Sequence, residues 1–129
     1  MIKSIFILIL LSVCIHTAEK TYYKDYYENG KIKSEGWILD NQKVDYWFYY
    51  YENGKKKEEG HYNKNKKVQW WLYYDANEII LKKAEFKNNI QEGLTLVYKN
   101  GSLVKAEKYL KGVKIKEWTS LSKYKRDNP

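Results

Sequence analysis

The chain is poor in the residues that build most catalytic and covalent sites. Its 129 residues include one cysteine (Cys14), one proline (Pro129), one methionine and two histidines. A single cysteine excludes an internal disulfide framework, and a proline at the last position leaves nothing to interrupt a strand. No GxGxxG, Walker, HExxH or GxSxG pattern occurs, and after residue 18 His61 is the only histidine and no cysteine accompanies it. We therefore expect no enzyme, no metal site and no cofactor.

A paired-carboxylate site is also not expected. Glu58 and Glu59 are adjacent in the sequence. Successive residues of a strand point to opposite faces, so these two carboxylates cannot act together as acid and base. For His61 we expect a place on the solvent side of a strand, opposite Tyr46.

One long apolar run stands at the N-terminus, in "MIKSIFILILLSVCIHTAEK". A lysine followed by an apolar stretch and then small and polar residues predicts a secretory signal peptide over residues 1–18, cleaved after Ala18. Cleavage after Cys14 is the alternative. The stretch "LSVC" resembles the lipobox of bacterial lipoproteins, which makes Cys14 a candidate for lipidation; otherwise it is one more apolar residue of the leader. We expect an exported protein, periplasmic or secreted, or a lipoprotein at the outer membrane.

Charge of one sign dominates the remainder. Lysine and arginine number 24 against 16 acidic residues, a net charge of +8, or about +7 once Lys3 is removed with the leader. A basic surface favours anionic partners such as an acidic protein, phospholipid headgroups or acidic glycans. Because an exported protein rarely meets nucleic acid, we expect no nucleic-acid partner.

Four copies of a segment of about 24 residues follow the leader. The first, "YYENGKIKSEGWILDNQKVDYWFY", starts at Tyr26, and the second, "YYENGKKKEEGHYNKNKKVQWWLY", starts at Tyr50. A third copy from Tyr74 is degenerate but keeps the length. A fourth, from Tyr98, has lost one residue near its turn. The repeat covers nearly all of the chain after the leader.

Each copy contains two segments rich in aromatic and β-branched residues, joined by turn residues. Asn-Gly pairs at Asn29, Asn53 and Asn100, and Asn77-Glu78 in the third copy, predict hairpins with type I′ turns. The sequence thus predicts an all-β fold with almost no helix: an elongated antiparallel meander of about nine strands in a single twisted sheet. The repeat domain is expected over residues 19–118, followed by a basic flexible tail over residues 119–129.

Centring each hairpin on its turn predicts the cross-strand partners. A large ring then faces a small residue in three pairs, Tyr23 with Gly36, Trp47 with Gly60, and Trp71 with Ala84, and the fourth pair, Thr95 with Ala106, keeps the small partner. Rings pack flat over such small residues, so this side is expected to be the packed side. The side also collects Tyr27, Ile32, Ile38, Tyr49, Tyr51, Tyr62, Tyr73, Ile80, Phe86 and Val97.

The other side is expected to carry the binding surface. It pairs Tyr46 with His61, Phe48 with Glu59, and Tyr50 with Lys57, so that rings lie beside charged side chains. More large aromatics are present than one packed face requires, and tyrosine and tryptophan are frequent interface anchors. The candidate partner-binding residues are Tyr46, Phe48, Tyr50, Lys57, Trp70, Leu72 and Tyr74.

The motif "YYENGK", the glycine at the sixth place after the turn and the aromatic-rich return strand resemble the MORN-repeat variant family of bacterial proteins. The family pattern has glycine two residues before the tryptophan, where this chain has Asp45 and Gln69, and Gly93 in the third copy. The resemblance covers residues 22–118. It implies a β-hairpin sheet that holds partners or membranes without catalysis, and some family members are labelled antitoxins.

These observations favour an exported, non-enzymatic scaffold that binds a protein, as an immunity or antitoxin-like protein or an envelope assembly factor. The alternative is a module that binds glycans or anionic membrane surfaces. In that case rings would stack on sugars while Lys55, Lys57, Lys66 and Lys67 meet acidic groups.

Overall fold

The computed structural model describes residues 17–129, which form one open antiparallel sheet and a short helix. Each strand pairs with its neighbours in the chain, so the sheet order follows the sequence. The strands are β1 (Thr21–Tyr26), β2 (Ile32–Leu39), β3 (Gln42–Tyr50), β4 (Lys56–Asn63), β5 (Lys66–Tyr74), β6 (Ile80–Lys87), β7 (Ile90–Lys99), β8 (Ser102–Leu110) and β9 (Val113–Trp118), and the helix is α1 (Leu121–Asp127). The predicted all-β meander of hairpins is confirmed. The predicted signal peptide and Cys14 lie outside the described residues, apart from the last two residues of the leader.

Two-residue turns join β2 to β3, β4 to β5, β6 to β7, β7 to β8 and β8 to β9. Both central residues have positive φ, as a type I′ turn requires. These turns are Asp40-Asn41, Lys64-Asn65, Asn88-Asn89, Asn100-Gly101 and Lys111-Gly112. Asparagine, aspartate and glycine tolerate the left-handed region best, which explains why turn residues recur there.

The type I′ prediction is wrong for the other three turns. In the first, the amide of Gly30 donates to the Tyr27 carbonyl at 2.9 Å, and the amide of Tyr27 donates to the Lys31 carbonyl at 2.8 Å. Only Gly30 has positive φ there, which describes a three-residue loop with a bulged glycine. Gly54 and Glu78 hold the same place in the next two copies. The residue missing from the fourth copy converts this loop into the shorter turn at Asn100-Gly101.

Two cross-strand rows run through all nine strands and define the faces of the sheet. One row consists of Tyr23, Gly36, Trp47, Gly60, Trp71, Ala84, Thr95, Glu107 and Glu117, and its side is the Trp47 face. The next row consists of Lys24, Glu35, Phe48, Glu59, Leu72, Lys83, Leu96, Ala106 and Trp118, and its side is the Phe48 face. Because adjacent residues of a strand point oppositely, the two rows lie on opposite faces.

The core consists of indole rings packed over glycine. Trp47 and Trp71 are fully buried although residues 17–129 form a single sheet with no second sheet packed on it. Their rings lie over Gly36 and Gly60, where an added Cβ would come within 2.3 and 2.4 Å of ring carbons. Close approach to backbone is possible only because these glycines lack a side chain.

A two-residue bulge precedes each of these tryptophans. Asp45 and Tyr46 have no partner in β2, because the register passes from Trp47 directly to Val44. The indole nitrogen of Trp47 donates to the Trp37 and Val44 carbonyls at 3.0 and 3.2 Å, which flank the bulge. Trp71 does the same with the His61 carbonyl at 3.0 Å. Each ring thus supplies hydrogen bonds where the strand ladder is interrupted.

Most predicted partners are confirmed, and two are wrong by one residue. Tyr23, Trp47 and Trp71 face their predicted small partners. Thr95, however, pairs with Glu107, since a bulge near Val97 shifts the register and gives Ala106 to Leu96. Tyr50 pairs with Lys56 instead of Lys57 for the same kind of reason.

Similar bulges overturn the predicted side of two isoleucines. Ile32 pairs with Tyr26 and Ile80 pairs with Tyr74, in both cases beyond a register shift near the turn. Direct partners share a face, so Ile80 belongs with Tyr74 on the Phe48 face, and Ile32 occupies the same position of the repeat. Both were expected on the Trp47 face.

Helix α1 occupies the segment for which the sequence predicts a flexible tail. The hydroxyl of Ser120 caps it by accepting from the Lys123 amide at 3.3 Å. Trp118 at the end of β9 packs edge-on against Tyr124, with ring centroids 5.2 Å apart, and donates to Asp127 at 2.9 Å. Buried Trp118 therefore joins the helix to the sheet.

Candidate functional site

The Trp47 face is a packed aromatic ladder that contains its own cations. The ammonium of Lys43 lies 4.7 Å from the centre of the Trp47 ring and donates to the Tyr49 hydroxyl at 2.7 Å. Lys67, 24 residues on, lies 4.1 Å from the centre of the Trp71 ring. Burial lowers the pKa of Lys43, and neighbouring Lys67 adds to this while Glu58 opposes it. The rings of this face are therefore already occupied by cation–π contacts within the chain.

The Phe48 face holds six of the seven predicted contact residues. Strands β3 and β5 flank β4, and each contributes three alternate side chains to this face. All six are half-buried, with part of each side chain open to solvent: Tyr46, Phe48, Tyr50, Trp70, Leu72 and Tyr74. The structure thus brings these residues together as one aromatic surface.

Two carboxylates below this surface, buried Glu59 and half-buried Glu35, hold its tyrosines. The hydroxyl of Tyr46 donates to Glu59 at 2.8 Å, and that of Tyr50 donates to Glu35 at 2.8 Å. Burial raises the pKa of both tyrosines, and the hydrogen bonds to these carboxylates raise it further. The phenols therefore stay neutral donors at physiological pH, and each hydroxyl is held by a carboxylate of a neighbouring strand.

Lys56 completes this arrangement. Its ammonium lies 2.9 Å from Glu59, 6.0 Å from the centre of the Phe48 ring and 5.6 Å from that of Tyr74. The hydrogen bond to Glu59 raises the pKa of Lys56 despite partial burial. One lysine thus neutralises the buried carboxylate and bridges rings from β3 and β5.

Sequence reasoning missed Glu35 and Lys56 and chose Lys57 instead. The bulge at the turn gives the place opposite Tyr50 to Lys56, and the ammonium of Lys57 lies 5.7 Å from the centre of the Tyr51 ring. Glu35 had a visible signal, since it stands 24 residues before Glu59, which was predicted opposite Phe48. The bulge itself has no such signal.

The remaining predicted features are His61 and the adjacent carboxylates of Glu58 and Glu59. His61 lies opposite Tyr46 as expected, with ring centroids 4.8 Å apart. Glu58 pairs with Lys67 at 3.5 Å, whereas Glu59 pairs with Lys56, so the two adjacent carboxylates do point to opposite faces.

The lysines proposed for an anionic ligand do not form one group. Lys67 is held in the aromatic ladder of the Trp47 face. Lys55 and Lys66 are exposed and lie at opposite ends of the β4 hairpin, Lys55 in the turn before β4 and Lys66 at the start of β5.

No protein-family model and no curated protein sequence matches this chain. Among residues 17–129, the single helix has seven residues, and no helix is long and apolar enough to cross a membrane. In the same range no three His, Cys, Asp or Glu side chains come together as metal ligands.

Proposed function

We propose that the chain is an exported, non-enzymatic repeat scaffold that binds a protein partner through the Phe48 face. The observation that carries this proposal is the set of half-exposed rings held by half-buried Glu35, buried Glu59 and Lys56. Preorganised aromatic side chains lose little entropy on binding, which is why such residues act as interface anchors. The resemblance to the bacterial MORN-repeat variant supports the same function.

The partner class follows from the chemistry of the surface. Phe48, Leu72 and Leu96 alternate with Glu35, Glu59 and Lys83 along the central row, so the face is amphipathic and not continuously apolar. Such a pattern suits a folded protein whose interface mixes apolar and hydrogen-bonding groups. An immunity protein for a secreted toxin and an envelope assembly factor both satisfy this description.

Affinity purification of the protein from its native envelope tests the proposal. We expect a protein partner to be recovered by the wild type and lost with Phe48→Ala and Trp70→Ala, since both rings project from this face. The matched control is Val97→Ala, which removes an apolar side chain from the Trp47 face. Equal recovery by all variants, or no partner with the wild type, would contradict the proposal.

Glycan binding is the alternative that one further observation favours. The rings of Phe48 and Tyr50 are stacked with an interplanar angle of 23° and centroids 6.5 Å apart. Nearly parallel rings present faces of the same orientation, on which a sugar ring can stack. A pull-down with peptidoglycan and a glycan array distinguish the two functions, because only the alternative predicts retention that Tyr50→Ala and Trp70→Ala abolish.

A further inference from the structure

An open apolar pocket of about 330 Å³ lies between helix α1 and strands β7 and β8. This volume is at the lower end of the range for small-molecule sites. The wall is formed mainly by aliphatic and aromatic side chains, namely Leu94, Leu96, Leu103, Val104, Trp118, Leu121 and Tyr124. Leu121 and Leu103 remain 66% and 56% exposed. Packed regions of proteins leave few voids larger than a water molecule, so a gap of this size between a helix and a sheet has a structural cause.

The pocket stays open because the helix is fastened on one side only. Asp127 accepts from the Trp118 indole at 2.9 Å and lies 2.8 Å from the ammonium of Lys116, both on β9. The edge-on contact of Tyr124 with Trp118 is on the same strand. Leu121, at the other end of the helix, is left above β7 and β8 without close packing.

The surroundings of the pocket are strongly basic. Residues 94–129 contain nine basic and three acidic side chains, so they hold most of the net charge of the chain. The three carboxylates are each paired with a lysine already: Glu107 with Lys105 and Lys114, Glu117 with Lys105, and Asp127 with Lys116. Lys108 and Lys123 are exposed and have no ion pair within residues 17–129. Lys108 is the cross-strand partner of the lining residue Leu94, and Lys123 lies between the lining residues Leu121 and Tyr124. An apolar cavity whose wall adjoins unpaired lysines matches a ligand with an aliphatic tail and a negative head.

We propose that this pocket binds the chain of an anionic single-chain amphiphile of the fatty-acid class. The aliphatic chain replaces water against Leu96, Leu103 and Leu121, and each buried methylene contributes hydrophobic free energy. The carboxylate stays at the rim, in reach of the basic segment. This site is separate from the partner-binding rings on β3 and β5 and does not depend on the function proposed for them.

Calorimetric titration with dodecanoate below its micelle concentration tests this site on protein with its native N-terminus. We expect saturable binding of one dodecanoate, at least tenfold weaker binding of dodecyltrimethylammonium, and none of acetate. Dodecyltrimethylammonium has the same aliphatic chain with the opposite charge, so its weaker binding measures the contribution of the basic residues at the rim. Acetate has the carboxylate without the long chain, so its failure to bind measures the contribution of the apolar pocket. Absence of dodecanoate binding, or equal affinity for the two charged amphiphiles, would overturn the proposal.

Two variants locate the site. Ala106→Leu fills the pocket from its floor, and Leu121→Glu places a carboxylate at its exposed mouth; each should weaken dodecanoate binding at least tenfold. Val97→Leu, on the opposite face of the neighbouring strand, should bind like the wild type. Circular dichroism checks folding, and Leu121→Glu decides alone if Ala106→Leu does not fold. Wild-type affinity in the folded pocket variants would show that the ligand binds elsewhere and refute the assignment.

Discussion

At the scale of single residues, the fit of tryptophan over glycine determines where stability is concentrated. Gly36 and Gly60 have no positive φ, so their role is purely steric. Gly36→Ala or Gly60→Ala would push a methyl group into a fully buried ring whose N–H is also engaged. We expect each to lower the free energy of unfolding by about 3 kcal/mol, as overpacking does at its upper range. Urea denaturation followed by fluorescence measures this loss.

Gly30→Ala provides the control for that prediction. Gly30 has φ of 82° and no atom within 4 Å of an added Cβ, so its substitution tests backbone strain without a clash. A left-handed residue other than glycine costs about 1–2 kcal/mol. If Gly36→Ala costs no more than Gly30→Ala, the ring does not require the glycine.

The bulge before each fully buried tryptophan contains a residue other than glycine with positive φ. Asp45 and Gln69 have φ of 57° and 59°, in the region that Gly93 occupies in the third copy with φ of 104°. Gln69→Gly should therefore raise the free energy of unfolding by about 0.5–1 kcal/mol, the relief of strain being partly offset by the greater freedom of glycine when unfolded. Thermal and urea unfolding measure the gain.

Asp45→Gly should gain less than Gln69→Gly, because Asp45 also pairs with Lys20 at 2.5 Å on the surface. The reverse change, Gly93→Ala, should destabilise, since its Cβ would collide with Glu85, which accepts a hydrogen bond from the Leu94 amide. Destabilisation by Gln69→Gly would mean that the glutamine side chain contributes more than the strain it imposes.

At the scale of strands and helices, the repeat predicted the elements but not their bulges. Period, turn residues and alternation were enough for the strands, the meander and the pairs around Trp47 and Trp71. These signals could not give the cross-strand partners of Tyr50 and Thr95, because a bulge moves the register by one residue and any residue type can occupy a bulge. The candidate rings were placed on one face correctly, whereas Lys56 was missed for that reason. Helix α1 was missed because seven residues carry too little periodicity to detect.

The attachment of helix α1 should depend on pH. Hydrogen bonds from Lys116 and Trp118 lower the pKa of Asp127 to about 2, below the ordinary value of 3.8. A depressed pKa in the folded state means that the stabilisation is complete above pH 3.8 and is lost as the pH falls through 2. The indole N–H signal of Trp118 in NMR spectra should shift with a midpoint near pH 2.

The indole N–H of Trp47 serves as the internal reference for that titration, since it donates to backbone carbonyls and should not respond. Asp127→Asn should remove the response of Trp118. A midpoint near pH 4 in the wild type would show that Asp127 is not held by its two partners.

At the scale of the whole molecule, the net charge predicts an encounter with anionic surfaces. Each basic group near an anionic leaflet contributes on the order of 1 kcal/mol before screening. Charged residues interrupt the apolar ones along the Phe48 face, so insertion is not expected. The protein should co-sediment with anionic but not neutral vesicles at low salt and be released at about 0.5 M salt, where the Debye length is roughly 4 Å.

Retention at high salt would contradict purely electrostatic binding. Mass spectrometry of the native N-terminus then separates the two explanations: an acylated Cys14 anchors the protein covalently, whereas an N-terminus at Glu19 points to inserted rings such as Trp37 or Trp70.

The open, single-layer sheet also predicts how stability is distributed along the chain. Each strand forms backbone hydrogen bonds only with its neighbours in the sheet, so local stability depends on what packs beside it, as in other repeat proteins. Strand β4 lies between the fully buried rings of Trp47 and Trp71. The edge strand β1 has one neighbour, and its Tyr22, Tyr23 and Tyr26 are exposed. Hydrogen exchange should therefore be slowest in β3–β5 and faster toward β1.

Gly60→Ala tests whether the rings cause that gradient. Substitution at the centre of the ladder should accelerate exchange in β3, β4 and β5 far more than in β7 and β8, which contact the site only through intervening strands. Uniform protection across the nine strands in the wild type would mean that the sheet unfolds as one cooperative unit. In that case the indole rings would stabilise every hairpin equally, and the rings on β3 and β5 that we propose as the binding surface would be no more rigid than the edges.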